Sequence, residues 1–203
     1  MINTIIFDFG NVFINLDIDN AIKKTLETLG IETLSEEMIA FNAFYEQGLI
    51  STDEFVEFYM ENFPKLTQEE LIDIWNFIIK DFPKHRLEFI QQLKKEDKFK
   101  LILLSNTNEL HIDYIKQHVP FYEEFKSCFD AFYLSQEINL RKPNKDIFEF
   151  VLNENKLDAH TCLFIDDNES NIKTALNLGL KTWHITPYKE DVVNLFKTKG
   201  DLF

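Results

Sequence analysis

Four short stretches concentrate residues that a plain apolar core does not need. IIFDFGNVF (residues 5–13) ends an apolar run in a single carboxylate, Asp8, followed by Gly10 and Asn11. LILLSNTN places Ser105, Asn106, Thr107 and Asn108 at the end of another such run. RKPN sets Lys142 before Pro143, and LFIDDNESNI puts Asp166 beside Asp167 after a third run. Carboxylates gathered in one place repel each other and resist desolvation unless a cation sits among them. An oxygen-only donor set with positions left for water and substrate suits Mg²⁺. Ser105 and the N–H groups opening the helix after it suit an anion, and Lys142 adds positive charge. Carboxylate, metal, hydroxyl and lysine together describe a site for moving a phosphoryl group, with Asp8 as nucleophile. Each residue alone has a plainer reading. Asp8 could be a turn residue, Ser105 or Asn108 a helix N-cap, Lys142 a solvated loop charge, and the Asp166–Asp167 pair a complement to a helix dipole. The chemical reading rests on all four stretches occurring together, each ending a strand or closely following one.

Those strands are read from apolar runs at 4–7, 101–104, 131–134 and 162–165, with a weaker one at 182–185. Helical patterns lie between the later runs, such as Ile147/Val151 and Ile172/Leu176, the latter ending near Gly179. Alternating helices and nearly continuous apolar strands predict an α/β fold whose parallel sheet is covered on both faces. In such a sheet ligands bind beyond the carboxyl ends of the strands, where Asp8, Ser105, Asp166 and Asp167 fall.

The interval from Asp8 to Ser105 breaks the rhythm, being about three times the ~30 residues a strand–helix–strand crossover needs. Its surplus is helical, and we read residues 17–84 as an inserted helical bundle. Ser51 with Glu54, and Thr67 with Glu70, have the spacing of capping boxes opening two of its helices. Phe41, Phe44, Phe55, Phe58, Phe63 and Phe77 are expected at its core, and Asp19 is expected to cap a helix starting at Asn20.

The formal charge is -14, which disfavours a nucleic-acid partner. Residues 17–84 hold 15 acidic and 5 basic residues, the rest 20 and 16, so the excess lies mostly in the insert. No apolar run approaches the ~20 residues that cross a bilayer. The start lacks a basic segment and its apolar run carries Asp8, unlike a signal peptide. Cys128 and Cys162 form no disulfide framework, and a cytoplasmic protein is expected. The histidines show no ligand spacing, and nothing bears on oligomeric state.

The four stretches resemble, in order and over essentially the whole chain, the four motifs of the haloacid dehalogenase superfamily. The resemblance implies a Rossmann-like core from 1–16 and 85–203, with 17–84 as a helical C1-type cap that chooses the substrate. YEQGLIST, residues 45–52, is similar to a segment common in such caps. It also implies an aspartyl-phosphate intermediate on Asp8. Mg²⁺ would be held by Asp8, the Gly10 carbonyl and Asp167 with help from Asp166, and Ser105, Asn106 and Lys142 would bind the phosphate of a small phosphorylated substrate.

Gly10 departs from the pattern. Most phosphatases of the superfamily carry there a second aspartate that protonates the leaving group and then activates water. That help is typically worth ~10²–10⁴-fold, and the amide of Asn11 does not supply it. DFGNV resembles the first motif of a subgroup similar to bacterial α-D-glucose-1-phosphate phosphatases, whose anomeric leaving group is more acidic than an ordinary alcohol. A small sugar monophosphate such as glucose 1-phosphate is therefore the expected substrate. Alternatives are a 2-haloacid dehalogenase, against which the Asp166–Asp167 pair counts, and a weakly catalytic binding or regulatory protein.

Overall fold

The computed structural model describes residues 1–203 throughout. Its centre is a parallel sheet of β1 (Thr4–Phe7), β2 (Lys100–Ser105), β3 (Ala131–Leu134), β4 (Cys162–Asp166) and β5 (Lys181–His184), in the order β3-β2-β1-β4-β5. The strands read as unbroken apolar runs because both faces are covered. Side chains alternate across a strand. Ile5, Phe7, Leu101, Leu103, Leu163 and Ile165 accordingly enter one core cluster, while Ile6, Ile102, Leu104 and Phe164 enter another. The first face packs against α5 (Lys84–Glu96), α6 (Glu109–His118), α7 (Tyr122–Lys126) and α11 (Leu195–Lys199) through Ile90, Ile115, Phe125 and Leu195. The second packs against α9 (Lys145–Glu154) and α10 (Glu169–Asn177) through Phe148, Val151 and Ile172. A short helix, α8 (Ser135–Ile138), follows β3 directly.

Four helices lie between β1 and α5: α1 (Ile18–Leu29), α2 (Glu36–Glu46), α3 (Thr52–Asn62) and α4 (Gln68–Asn76). They form a third cluster around Tyr45, Phe55, Tyr59 and Leu71. Ser51 with Glu54 and Thr67 with Glu70 make both halves of their capping boxes, as the spacing predicts. Three expectations fail here. Asp17, not Asp19, caps α1 by accepting from the Asn20 N–H, which starts the helix two residues earlier. Phe44 is exposed, because the inward stripe of α2 runs through Met38 and Tyr45, with Phe41 stacked on Phe58. Phe55 is fully buried and Phe41, Phe58 and Phe63 are half-buried against the cluster, whereas Phe77 lies outside it, with the ammonium groups of Lys24 and Lys80 over its ring.

The chain enters and leaves this bundle through paired segments. Leu16 bridges Ile79 in antiparallel sense, the Asp17 N–H donates to the Ile78 carbonyl, and the Lys80 N–H donates to that of Asn15, both at 2.9 Å. The bundle also presses on the core directly. Gly48 has a φ of 66°, and a Cβ there would stand 2.1 Å from the Gln136 carbonyl oxygen, so only glycine fits. Beside it Asn139 donates to the carbonyls of Gln47 and Gly48, and Arg141 donates to Glu46 Oε2 at 2.7 Å. On the other flank, Trp75 Nε1 donates to Asn108 Oδ1 and the His111 ring packs against Trp75.

Candidate active site

Strands leave β1 in opposite directions, towards β2 and β3 on one side and β4 and β5 on the other, so the crevice beyond β1 and β4 is the topological switch point. Asp8 follows β1, its N–H donating to the Ile165 carbonyl of β4 at 2.9 Å. Asp166 is the last residue of β4 and Asp167 follows it. Carboxylate oxygens of these three residues lie within 4.8 Å of one another.

Lys142 enters from the loop before α9 and is 1% exposed. An ammonium has three donors, and all three are engaged: with Asp8 Oδ1 at 2.7 Å, Asp166 Oδ2 at 2.7 Å and the Leu104 carbonyl at 2.8 Å. The lysine therefore neutralises and spaces two carboxylates rather than projecting into an open cleft. Burial works against its charge, yet Asp166 and Asp8 more than offset this and hold its pKa above the ordinary lysine value. Asp166 is fully buried and further held by the Asn168 N–H at 2.7 Å and Asn171 Nδ2 at 3.0 Å. Burial pushes the Asp8 carboxyl up to about 7; Lys142 opposes this, while Asp166 and Asp167 add to it. Asp167 is also raised, chiefly by burial, and Asn11 Nδ2 donates to its Oδ2 at 2.7 Å.

The second stretch separates into distinct jobs. Ser105, the last residue of β2, is buried, and its hydroxyl makes only a long 3.4 Å contact with the Asn106 carbonyl, leaving it available to a ligand. Asn106 does not hold its amide free. Its Nδ2 donates to the Lys142 carbonyl at 2.8 Å and its Oδ1 accepts from the Lys142 N–H at 2.9 Å, so the side chain fixes the lysine's backbone. Thr107 is held by Ser135, and Asn108 caps α6. Gly10 adjoins the cluster: a Cβ there would lie 3.9 Å from Asp8 Oδ2 but only 2.7 Å from Leu16 Cδ1. Leu16 thus fills the space where a side chain at position 10 would stand.

The structure brings Asp8, Lys142, Asp166 and Asp167 into one contact network, with Asn106 supporting it and Gly10 and Ser105 at neighbouring strand ends. The sequence reading missed Asn11, Leu16 and Asn171 as parts of the surroundings. Asn11 carried one legible signal, since asparagine is among the few residues that tolerate the left-handed φ of 54° found there. The donor set is all carboxylate oxygen, three acids against one ammonium, which fits a hard divalent cation.

A model of the haloacid dehalogenase-like hydrolase family matches residues 2–179. The chain belongs to that family. Among curated haloacid dehalogenase-like and other proteins, D-ribitol-5-phosphate phosphatase from Bacteroides thetaiotaomicron is 29% identical over 192 residues, 90% of this chain and 91% of that protein. A solved haloacid dehalogenase family enzyme from the same organism, described as a magnesium complex, is 31% identical, with a TM-score of 0.85 over 97% of this chain and 98% of its own. A variant of that enzyme, in complex with magnesium and inorganic phosphate, is 28% identical, with a TM-score of 0.82 over 97% of this chain and 99% of its own. No helix of this hydrolase is long and apolar enough to cross a membrane.

Proposed function

We propose that this hydrolase is a Mg²⁺-dependent phosphatase of a small sugar or sugar-alcohol monophosphate. The observation that carries the reading is the Asp8–Asp166–Asp167 cluster around the buried Lys142 at the sheet's switch point. The relative named for D-ribitol 5-phosphate and the phosphate-bound neighbour support the substrate class. Asp8, Asp167 and the Gly10 carbonyl would hold Mg²⁺, with Asp166 supporting. Bound there, the ion supplies positive charge to the phosphoryl oxygens.

Asp8 attacks phosphorus, the bond from phosphorus to the ester oxygen breaks, and the aspartyl phosphate forms on Asp8. Lys142, fixed through Asn106, aligns the attacking carboxylate and balances its charge. Ser105 Oγ donates to a phosphoryl oxygen. No side chain at position 10 protonates the departing alkoxide, which takes its proton from water. A second water then attacks phosphorus, releasing inorganic phosphate and restoring Asp8. Residues 17–84 act as the cap.

The test is phosphate release from ribitol 5-phosphate, glucose 1-phosphate, glucose 6-phosphate and p-nitrophenyl phosphate, with Mg²⁺ and with chelator. Chelator-sensitive turnover of at least one sugar or polyol ester is expected. Turnover of none of them, or turnover indifferent to chelator, overturns the reading. A marked preference for glucose 1-phosphate and p-nitrophenyl phosphate over the alkyl esters would show that leaving-group acidity replaces the missing proton donor.

A further inference from the structure

Asn11 stands between the acidic cluster and the insert, and every polar atom of its side chain is engaged. It is 7% exposed, in the left-handed region at φ 54°, with its N–H donating to the Ile14 carbonyl at 2.7 Å. That turn directs its amide back over the first motif. Nδ2 donates to Asp167 Oδ2 at 2.7 Å, and Oδ1 accepts from the Leu16 N–H at 3.0 Å. The amide has only one workable orientation, because a carboxylate only accepts and a backbone N–H only donates. Leu16 in turn belongs to the paired crossing into the helical bundle, opposite Ile79.

We propose that Asn11 is a positioning residue: it fixes the Asp167 carboxylate for the cation and ties cation binding to the crossing at Leu16 and Ile79. This rests on the Mg²⁺ reading above. Asp167 is the half-buried carboxylate of the three, and Lys142, which holds Asp8 and Asp166, makes no hydrogen bond to it, so its side-chain partner is Asn11. A neutral donor orients it without adding charge to the cluster. Groups one step behind a metal ligand typically change metal affinity by ~10–100-fold when removed.

Two measurements test this on the intact, metal-free protein without substrate. Calorimetric titration with Mg²⁺ compares wild type with Asn11→Gly, which keeps the left-handed backbone while deleting the amide. Binding about tenfold or more weaker is expected, whereas a residue that merely closed the turn would lower the melting temperature and leave affinity alone. Hydrogen exchange on the wild type, which needs no variant to fold, follows the Leu16 amide, bonded to Asn11, and the Asp17 and Lys80 amides, bonded across the crossing, with and without Mg²⁺, and slower exchange on binding is expected. Affinity of the variant within twofold of a wild type that does bind Mg²⁺, or exchange unmoved by the ion, overturns this inference alone. A wild type that binds no Mg²⁺ overturns the phosphatase reading as well.

Discussion

The end of the sheet and the four-helix insert treat polar groups in opposite ways. Around Asp8 the charged residues are buried and multiply bonded: Lys142 spends all three donors on protein, and Asp166 accepts from a lysine, a backbone N–H and an asparagine. In the insert most charges are exposed, and those with a structural part close helix ends, as Glu54 and Glu70 do. A buried charge matters to the fold as long as its partner stays, because removing the partner leaves it uncompensated. An exposed charge matters through the field it adds, which salt screens. The two regions should therefore respond very differently to similar substitutions.

The sharpest contrast comes from deleting one lysine in each. Lys142→Met strands Asp8 and Asp166 and should cost about 3–5 kcal/mol in urea unfolding. Lys23→Ala removes an exposed pair with Glu27 on α1 and should leave the urea midpoint unchanged. Equal effects would break the comparison. Next in size is the restoration of a proton donor. Gly10→Asp combined with Leu16→Ala, which clears the space now filled by Cδ1, should raise turnover of alkyl phosphates by about 10²-fold. It should do little for p-nitrophenyl phosphate, and no gain on the alkyl ester would mean that protonation is not limiting.

A smaller effect lies on the seam between the regions. Trp75 contributes only a carbonyl acceptor to His111 Nε2, and Asn108 Nδ2 donates to Nδ1, so the ring is satisfied only when neutral. Burial lowers its pKa from 6.5 to about 4. The unfolded chain then binds more protons than the folded one between those values, so stability is lost as the pH falls from about 6.5 to about 4, by about 2–3 kcal/mol. His111→Gln should flatten that part of the profile relative to wild type. An unchanged slope would place the pH sensitivity elsewhere.

The sheet was legible because strands covered on both faces leave no polar gaps, and β1 and β3 begin and end where their apolar runs do. The β5 segment was displaced by one residue, Lys181–His184, because an edge strand with exposed ends carries a weaker pattern. The carboxylates were legible as types at strand ends and Lys142 as a cation in a loop, here the one between α8 and α9, though not the way Lys142 is spent. Asn106 looked like a ligand-binding amide, yet it holds a loop 36 residues away in sequence, a pairing that only the folded chain creates. Asp17 and Asp19 both had the chemistry of a cap, and the choice depended on which carboxylate the turn brought to the Asn20 N–H. Phe44 was misplaced because an aromatic-rich helix offers more than one apolar face.

The lone ammonium among three acids has a consequence for the empty protein. One ammonium cannot balance three ionised carboxylates, so the metal-free chain either keeps surplus negative charge where water screens it poorly or takes up a proton, as the raised Asp8 allows. A dication that binds only the native form removes that surplus and stabilises the fold by mass action, by about 2.7 kcal/mol at a hundred times its dissociation constant. Magnesium starvation would then act as a mild denaturant before it acted as an inhibitor.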